Sequence, residues 1–218
     1  MNEFCQDRDL LALEPAIFLG GSFVTQQLAG GGDGVSSGTT FTSATSDFVA
    51  AGVQAGMVLT VYDAAPSEGN AFEIVSVISA TTLTVSILRA DASIPPMAPR
   101  MSGRSFFVRT FRPQIQGVSR TLAEKIKLFA ELCRVPADKV AFADPDQLRS
   151  ATAYGALPGI YLARAASATP DDTNWLKSEQ YRQEFMRLQS QLRLAADTGP
   201  GPCGRRTHTL GNMLLRRV

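Results

Sequence analysis

Apolar and polar residues follow two different periods along this chain. In the first half they alternate; in the second they recur every three to four residues. Residues 57–62 (MVLTVY), 72–78 (FEIVSVI), 82–88 (TLTVSIL) and 105–111 (SFFVRTF) are rich in Val, Ile, Thr and Phe and are bounded by turn residues, which is the signal of strands. In the third of these, Leu83, Val85 and Ile87 alternate with Thr82, Thr84 and Ser86, so one face is buried and the other is wet or covered by a neighbour. Four short strands with loops between them predict a small antiparallel sandwich or barrel over residues 38–112. The proline-rich piece 94–100 (IPPMAPR) predicts a loop or extended arm. Ahead of this region, residues 7–14 (DRDLLALE) predict a brief helix. Its acids in the first turn suit the helix dipole, and Pro15 ends it. Residues 30–34 (GGGDG) predict a turn or flexible linker.

The second half changes period. Thr121-Leu122-Ala123-Glu124 has the form of a capping box, and a helix from there to about Cys133 carries Leu122, Ile126, Phe129 and Cys133 on one stripe. Asp144-Pro145 starts a second helix over 146–166, holding Leu148, Ala151, Ile160 and Ala163, with a kink or break expected at Pro158-Gly159. Thr169-Pro170-Asp171-Asp172 starts the longest helix, 171–196, with the stripe Tyr181, Phe185, Leu188, Leu192 and Ala195. The last two helices are expected to pack antiparallel through these stripes. Gly199-Pro200-Gly201-Pro202 ends the helical part. Beyond it lies a tail with Arg205, Arg206, Arg216 and Arg217 around the apolar Leu210, Met213, Leu214 and Leu215. The fold class is therefore α+β: a helical bundle from residues 1–37 and 113–198, an inserted small antiparallel β sandwich or barrel at 38–112, and an extended C-terminal arm at 199–218.

Composition changes this picture in one respect. Of 218 residues, 44% are hydrophobic, enough for a real core, but only 19% are charged, which favours a surface partly covered by a partner. With 21 basic and 20 acidic residues, the net charge of +1 exerts no general pull toward nucleic acid or a membrane. Cys5, Cys133 and Cys203 have neither metal nor disulfide-framework spacing and read as reduced thiols. The first residues lack the pattern of a signal peptide, and no apolar run is long enough to cross a bilayer, so synthesis and assembly are expected in the cytoplasm.

Candidate chemistry is sparse. His208 is the single histidine and lies beyond the Gly-Pro hinge, whereas a catalytic base must be held rigidly. No His/Cys cluster has metal-ligand spacing. The glycines at 30–34 lack the lysine and the strand-to-helix setting of a phosphate loop. Asp144 with Asp146, and Asp171 with Asp172, sit where helix capping alone places acids. The chain reads as a non-enzyme with no cofactor and no metal. Trp175 is a core or subunit-contact residue. The apolar residues between the tail arginines suit a groove on a protein better than phosphates.

The helix written D-x-x-L-L-x-L-E-P at 7–15, followed after an insertion by 151–164 (ATAYGALPGIYLAR) and 176–194 (LKSEQYRQEFMRLQSQLRL), resembles the head–tail adaptor, or connector, proteins of tailed bacteriophages. Residues 46–59 (SDFVAAGVQAGMVL) and 74–85 (IVSVISATTLTV) look like a segment common in phage neck, tail and baseplate proteins. The resemblance covers about the first 15 residues and 120–218, and the insertion departs from a plain adaptor. It implies a virion structural protein at the head–tail interface, in a ring of twelve subunits through which DNA passes without sequence-specific binding. The implied partners are the portal, which the arm would grip through Arg205, Arg206, Leu210, Met213, Leu214, Leu215, Arg216 and Arg217, and tail or tail-nozzle proteins below. The implied helical core is Leu122, Ile126, Phe129, Leu148, Ile160, Tyr181, Phe185, Leu188 and Leu192. Another tail, baseplate or tail-completion protein is the alternative. A small hydrolase or a nucleic-acid module lacks the residues or the charge it would need.

Overall fold

The four alternating segments become strands, and three further strands join them in one antiparallel sheet. The strands are β1 (Gln26–Gly31), β2 (Val35–Ser37), β3 (Thr40–Thr42), β4 (Val58–Tyr62), β5 (Gly69–Ser79), β6 (Thr82–Ser86) and β7 (Ser105–Thr110), in the order β1-β7-β4-β5-β6-β3-β2. The computed structural model describes residues 3–19, 26–62, 69–100, 104–133, 136, 140–142, 145–166, 169, 172–197 and 205–209. They fall into two compact units, residues 6–112 and residues 1–5 with 113–218.

In the first unit the sheet is curled and open, so the expected two-layer sandwich or closed barrel does not form. The concave space is filled by one apolar cluster that includes Phe41, Phe48, Leu59, Val61, Ile74, Leu83, Val85, Phe106 and Val108. Phe106 meets Phe41 edge-on at 5.0 Å, an arrangement that aromatic quadrupoles favour. All five residues of β4 are buried, because its second face is covered too. Two short helices, α1 (Asp7–Leu13) and α2 (Ala16–Leu19), bury Leu10, Leu11, Ile17 and Phe18. On that side the Thr60 hydroxyl donates to the Phe18 carbonyl (3.4 Å) and the Tyr62 hydroxyl to that of Leu19 (3.0 Å). Asp7 opens α1, and burial gives its carboxylate a second task. It accepts from the Thr110 hydroxyl at 2.6 Å and the Phe111 amide at 2.7 Å, tying the helix to the end of β7.

The glycine run is the clearest local departure from expectation. Gly30 and Gly31 pair with Phe107 and Phe106 inside the sheet. A Cβ on Gly30 would lie 2.8 Å from the Phe107 ring, and one on Gly34 would lie 2.7 Å from the ring of Phe41. At those two positions an aromatic ring occupies the room that a side chain would take, and Gly30 and Gly31 are strand where a linker was expected.

The second unit is not a helical bundle. It contains α3 (Arg112–Cys133, whose first residue lies in the other unit), α4 (Pro145–Leu162) and α5 (Thr173–Gln191), together with a three-stranded antiparallel sheet of β8 (Val140–Phe142), β9 (Arg193–Asp197) and β10 (Arg205–Thr209) in the order β10-β9-β8. Three features account for the correction. Helix α3 starts nine residues before the expected capping box, leaving Thr121 in mid-helix with its hydroxyl bonded to the Gly117 carbonyl at 3.2 Å. Helix α4 runs through Pro158 without ending. Helix α5 stops at Gln191, because Leu192 turns to an extended ψ of 122°, and the chain continues as a strand in which Leu194 is fully buried. The spacing Leu188–Leu192–Ala195 matches a helix, but Leu192–Leu194–Ala196 matches a strand equally well, and sheet pairing decides between them. The same pairing takes Arg205–Thr209 out of the expected extended arm.

Helices α4 and α5 pack on each other, and their contacts run in opposite directions. A Cβ on Gly155 would lie 2.8 Å from the Phe185 ring, the Ser178 hydroxyl donates to the Pro158 carbonyl (3.0 Å), and Lys177 reaches the Tyr161 hydroxyl (3.1 Å). Leu122, Leu148, Ala151 and Leu192 form a buried cluster, with Phe4, Val118, Phe185 and Leu188 against it.

Candidate functional site

The sequence offers few reactive groups, and the structure assigns most of those it describes to architecture. Asp172 caps α5: its carboxylate accepts from the amides of Asn174 (2.8 Å), Trp175 (3.2 Å) and Ala166 (2.7 Å). Asp146 is exposed and paired with Arg149 at 3.2 Å. Asp144 and Asp171 lie outside the described residues. Among the described residues, no three His, Cys, Asp or Glu side chains gather as a metal site would require, and no helix is long and apolar enough to cross a membrane.

The residues expected in the helical core are placed as follows. Leu122, Phe129, Leu148, Ile160 and Leu192 are buried; Ile126, Tyr181, Phe185 and Leu188 are half-buried. Tyr181 stacks on Tyr161 (ring centroids 5.7 Å apart, planes at 20°) and tilts against Tyr154 at 6.0 Å. Lys177 stands 5.0 Å over the Tyr161 ring. Tyr154, Trp175 and Tyr181 are half-buried, and Leu162, Leu176 and Met186 are exposed. The outward side of α5 is otherwise polar. Glu184 holds Arg187 at hydrogen-bond distance, which lowers the acid's pKa and raises that of the base.

Of the expected portal-gripping residues, Arg205 and Arg206 fall on β10, opposite Asp197 and Ala196. Leu210, Met213, Leu214, Leu215, Arg216 and Arg217 lie outside the described residues.

Sequence reasoning missed two buried arginine sites in the first unit. Glu73, on β5, is almost wholly buried between two guanidinium groups. Arg89 Nε contacts its Oε1, and Arg8 Nη1 stands 3.1 Å from Oε2. Arg8 Nη2 also donates to the Arg89 carbonyl at 2.7 Å, so each member holds the others. Arg109, on β7, donates to the Phe18 carbonyl (2.9 Å) and the Tyr62 hydroxyl (3.1 Å), and its guanidinium lies 4.7 Å over the Phe107 ring. Alternation puts Glu73 and Arg109 on the face of the sheet opposite the core residues Phe72, Ile74, Phe106 and Val108, where a charge is ordinary, so no local signal marked them. On the surface of the same unit, Asp33 accepts from the Ser43 and Thr45 hydroxyls (2.9 and 3.0 Å) and the Thr45 amide (3.0 Å). Desolvation pushes this carboxyl up, but these bonds outweigh it and hold its pKa below the ordinary carboxylate value.

No known protein family, curated protein or solved structure matches the chain.

Proposed function

We propose that this chain is a structural virion protein of a tailed bacteriophage, a subunit of the ring that joins the portal to the tail. The observation that carries the reading is the α4–α5 pair. The two segments that resemble head–tail adaptors are the ones that form it, and it leaves aromatic and apolar side chains half-covered, as a subunit that completes its burial against neighbours would. The low charge of the chain points the same way. In this reading the protein is no enzyme, binds no cofactor, and works through the portal above, tail proteins below and copies of itself alongside.

The portal contact is assigned to the terminal residues, now divided by the structure. Residues 205–209 belong to a sheet, which leaves Leu210, Met213, Leu214, Leu215, Arg216 and Arg217 to fill apolar pockets and pair at their rim. Several such segments on one ring would act together, so a weak single contact suffices. Truncation after Thr209 should leave the thermal unfolding of the subunit unchanged and abolish its co-sedimentation with portal-bearing, tailless heads. Full-length protein that stays in the supernatant would overturn the adaptor reading itself. Normal attachment of the truncated protein would overturn only the assignment of the terminal residues.

A further inference from the structure

Arg109 is a buried cation with no acid beside it. The residue is 8% exposed, and its neighbours across the strands are Gln27 on β1 and Val58 on β4. Among the described residues no carboxylate pairs with it. Taking a guanidinium out of water without a counter-charge is costly, so its place here calls for an explanation. The end of α2 does not supply one. The Phe18 carbonyl already accepts from the Thr60 hydroxyl and the Leu19 carbonyl from that of Tyr62, and neutral donors of this kind satisfy a helix end. What arginine adds is a charge and a second donor edge.

That edge is held ready. Nη1 uses both of its hydrogens, on the Phe18 carbonyl (2.9 Å) and the Tyr62 hydroxyl (3.1 Å). The Tyr62 hydroxyl gives its own hydrogen to Leu19, so it meets Nη1 with a lone pair. The guanidinium lies 4.7 Å over the Phe107 ring, which fixes its plane, and Tyr62 meets the same ring edge-on at 5.7 Å. Nε and Nη2 bond to no protein atom among the described residues, and neither is sealed from solvent. These two nitrogens carry parallel N–H groups in one plane, which match the two oxygens of a carboxylate. We propose that Arg109 is the binding site for a carboxylate brought from outside the unit, taken side-on through Nε and Nη2. This goes beyond the ring reading and does not depend on it. A single negative charge fits the site better than a polyanion. Residues 6–112 carry nine acidic and six basic side chains, so the unit does not attract nucleic acid or a multiply charged phosphate, and one carboxylate neutralises one guanidinium. The fixed orientation lowers the entropy lost on binding.

The test uses the full chain with isotopically labelled arginine and follows the Nε–H resonances by NMR at constant ionic strength. Acetate should move one of them saturably in the millimolar range, and chloride should not. Acetate should also raise the melting temperature of wild type above its value in chloride, because it binds the folded state alone. Arg109→Lys keeps the charge but loses the planar fork, so it should lose both the resonance and the rise. Where that variant does not fold, Phe107→Leu leaves Arg109 in place without its ring; it should shift the same resonance and weaken acetate binding severalfold. Two further ligands identify the group: inorganic phosphate, and a blocked glutamate whose only carboxylate is its side chain. Binding of acetate and blocked glutamate supports the proposal and admits an acidic side chain of a protein partner; binding of acetate alone supports it and assigns the carboxylate to a small free acid. No resonance that moves with acetate, an equal movement in chloride, an undiminished rise in a folded Arg109→Lys, or phosphate held more tightly than acetate overturns it. None of these results touches the binding of the chain to portal-bearing heads, on which the adaptor reading stands or falls.

Discussion

Glu73 sets the residue scale, because one carboxylate answers to two arginines from different parts of the first unit, Arg8 in α1 and Arg89 beyond β6. Removing one partner of a buried ionic cluster leaves the others charged and desolvated, which costs about 3–5 kcal/mol. Glu73→Gln should therefore lower the stability of the first unit by about that amount in urea unfolding; a loss well under 1 kcal/mol would show that water reaches the arginines. Asp33 offers a gentler case. Its folded pKa is depressed, so its stabilising effect is complete above the unfolded carboxylate value and disappears as pH falls through the lower folded one. Asp33→Asn should lower stability at neutral pH and converge on wild type as pH falls through the folded value, which flattens the acid limb of the stability curve; parallel wild-type and mutant curves across the acid range would contradict this. Neither residue announced its role in the sequence. Glu73 sits in a strand whose alternation is legible, but its partners are 16 and 65 positions away, and no local pattern reaches that far. The glycines at 30–34 read as a turn or flexible linker, whereas Gly30 and Gly34 are small because the Phe107 and Phe41 rings lie over them, which only pairing reveals.

At the scale of elements, the sequence located the four long strands to within a few residues, because strict alternation beside turn residues admits few other readings. The helices were legible as helices, but their ends were not. A threonine four residues after a glycine looks like a cap when it is satisfied by the carbonyl one turn back, and Leu192 fits two periods at once. The short strands β2, β3 and β8 have three residues each and carry too few positions for any period to show. Helix α4 supplies a prediction in which two effects oppose. Alanine is a better helix former than glycine by about 1 kcal/mol, so Gly155→Ala would stabilise an isolated helix. Here the new methyl would stand 2.7 Å from Val118 and 2.8 Å from the Phe185 ring. Overpacking of that degree costs about 1–3 kcal/mol, so the variant should be less stable than wild type in thermal unfolding. A raised melting temperature would mean that Phe185 swings aside and that α4 and α5 are looser than their contacts imply.

On the scale of the whole molecule, the chain leaves one compact unit and returns to it, crossing between residues 5 and 6 and between 112 and 113. Sequence alone drew its boundary at 37 and 38, where strand alternation becomes plain, and grouped the N-terminal helix with the other helices by type. Side-chain bonding groups it differently. Asp7 bonds to Thr110 and Phe111, the Arg8 amide to the Gly56 carbonyl at 2.9 Å, and Phe18 meets Phe111 edge-on at 5.2 Å. Strands β1 and β2 pair with β7 and β3, so a cut at 38 would strip the sheet of both edges and uncover the second face of β4. Residues 6–112 hold their own core and ion cluster, and α1 and β7 bring the two ends of the segment together through Asp7 and Phe111. A segment with those properties can fold without the remainder. Expressed alone, residues 6–112 should give a β-type circular dichroism spectrum and one cooperative unfolding transition, whereas residues 38–112 should give none. If the longer segment also melts without cooperativity, the unit draws essential stability from the rest of the chain.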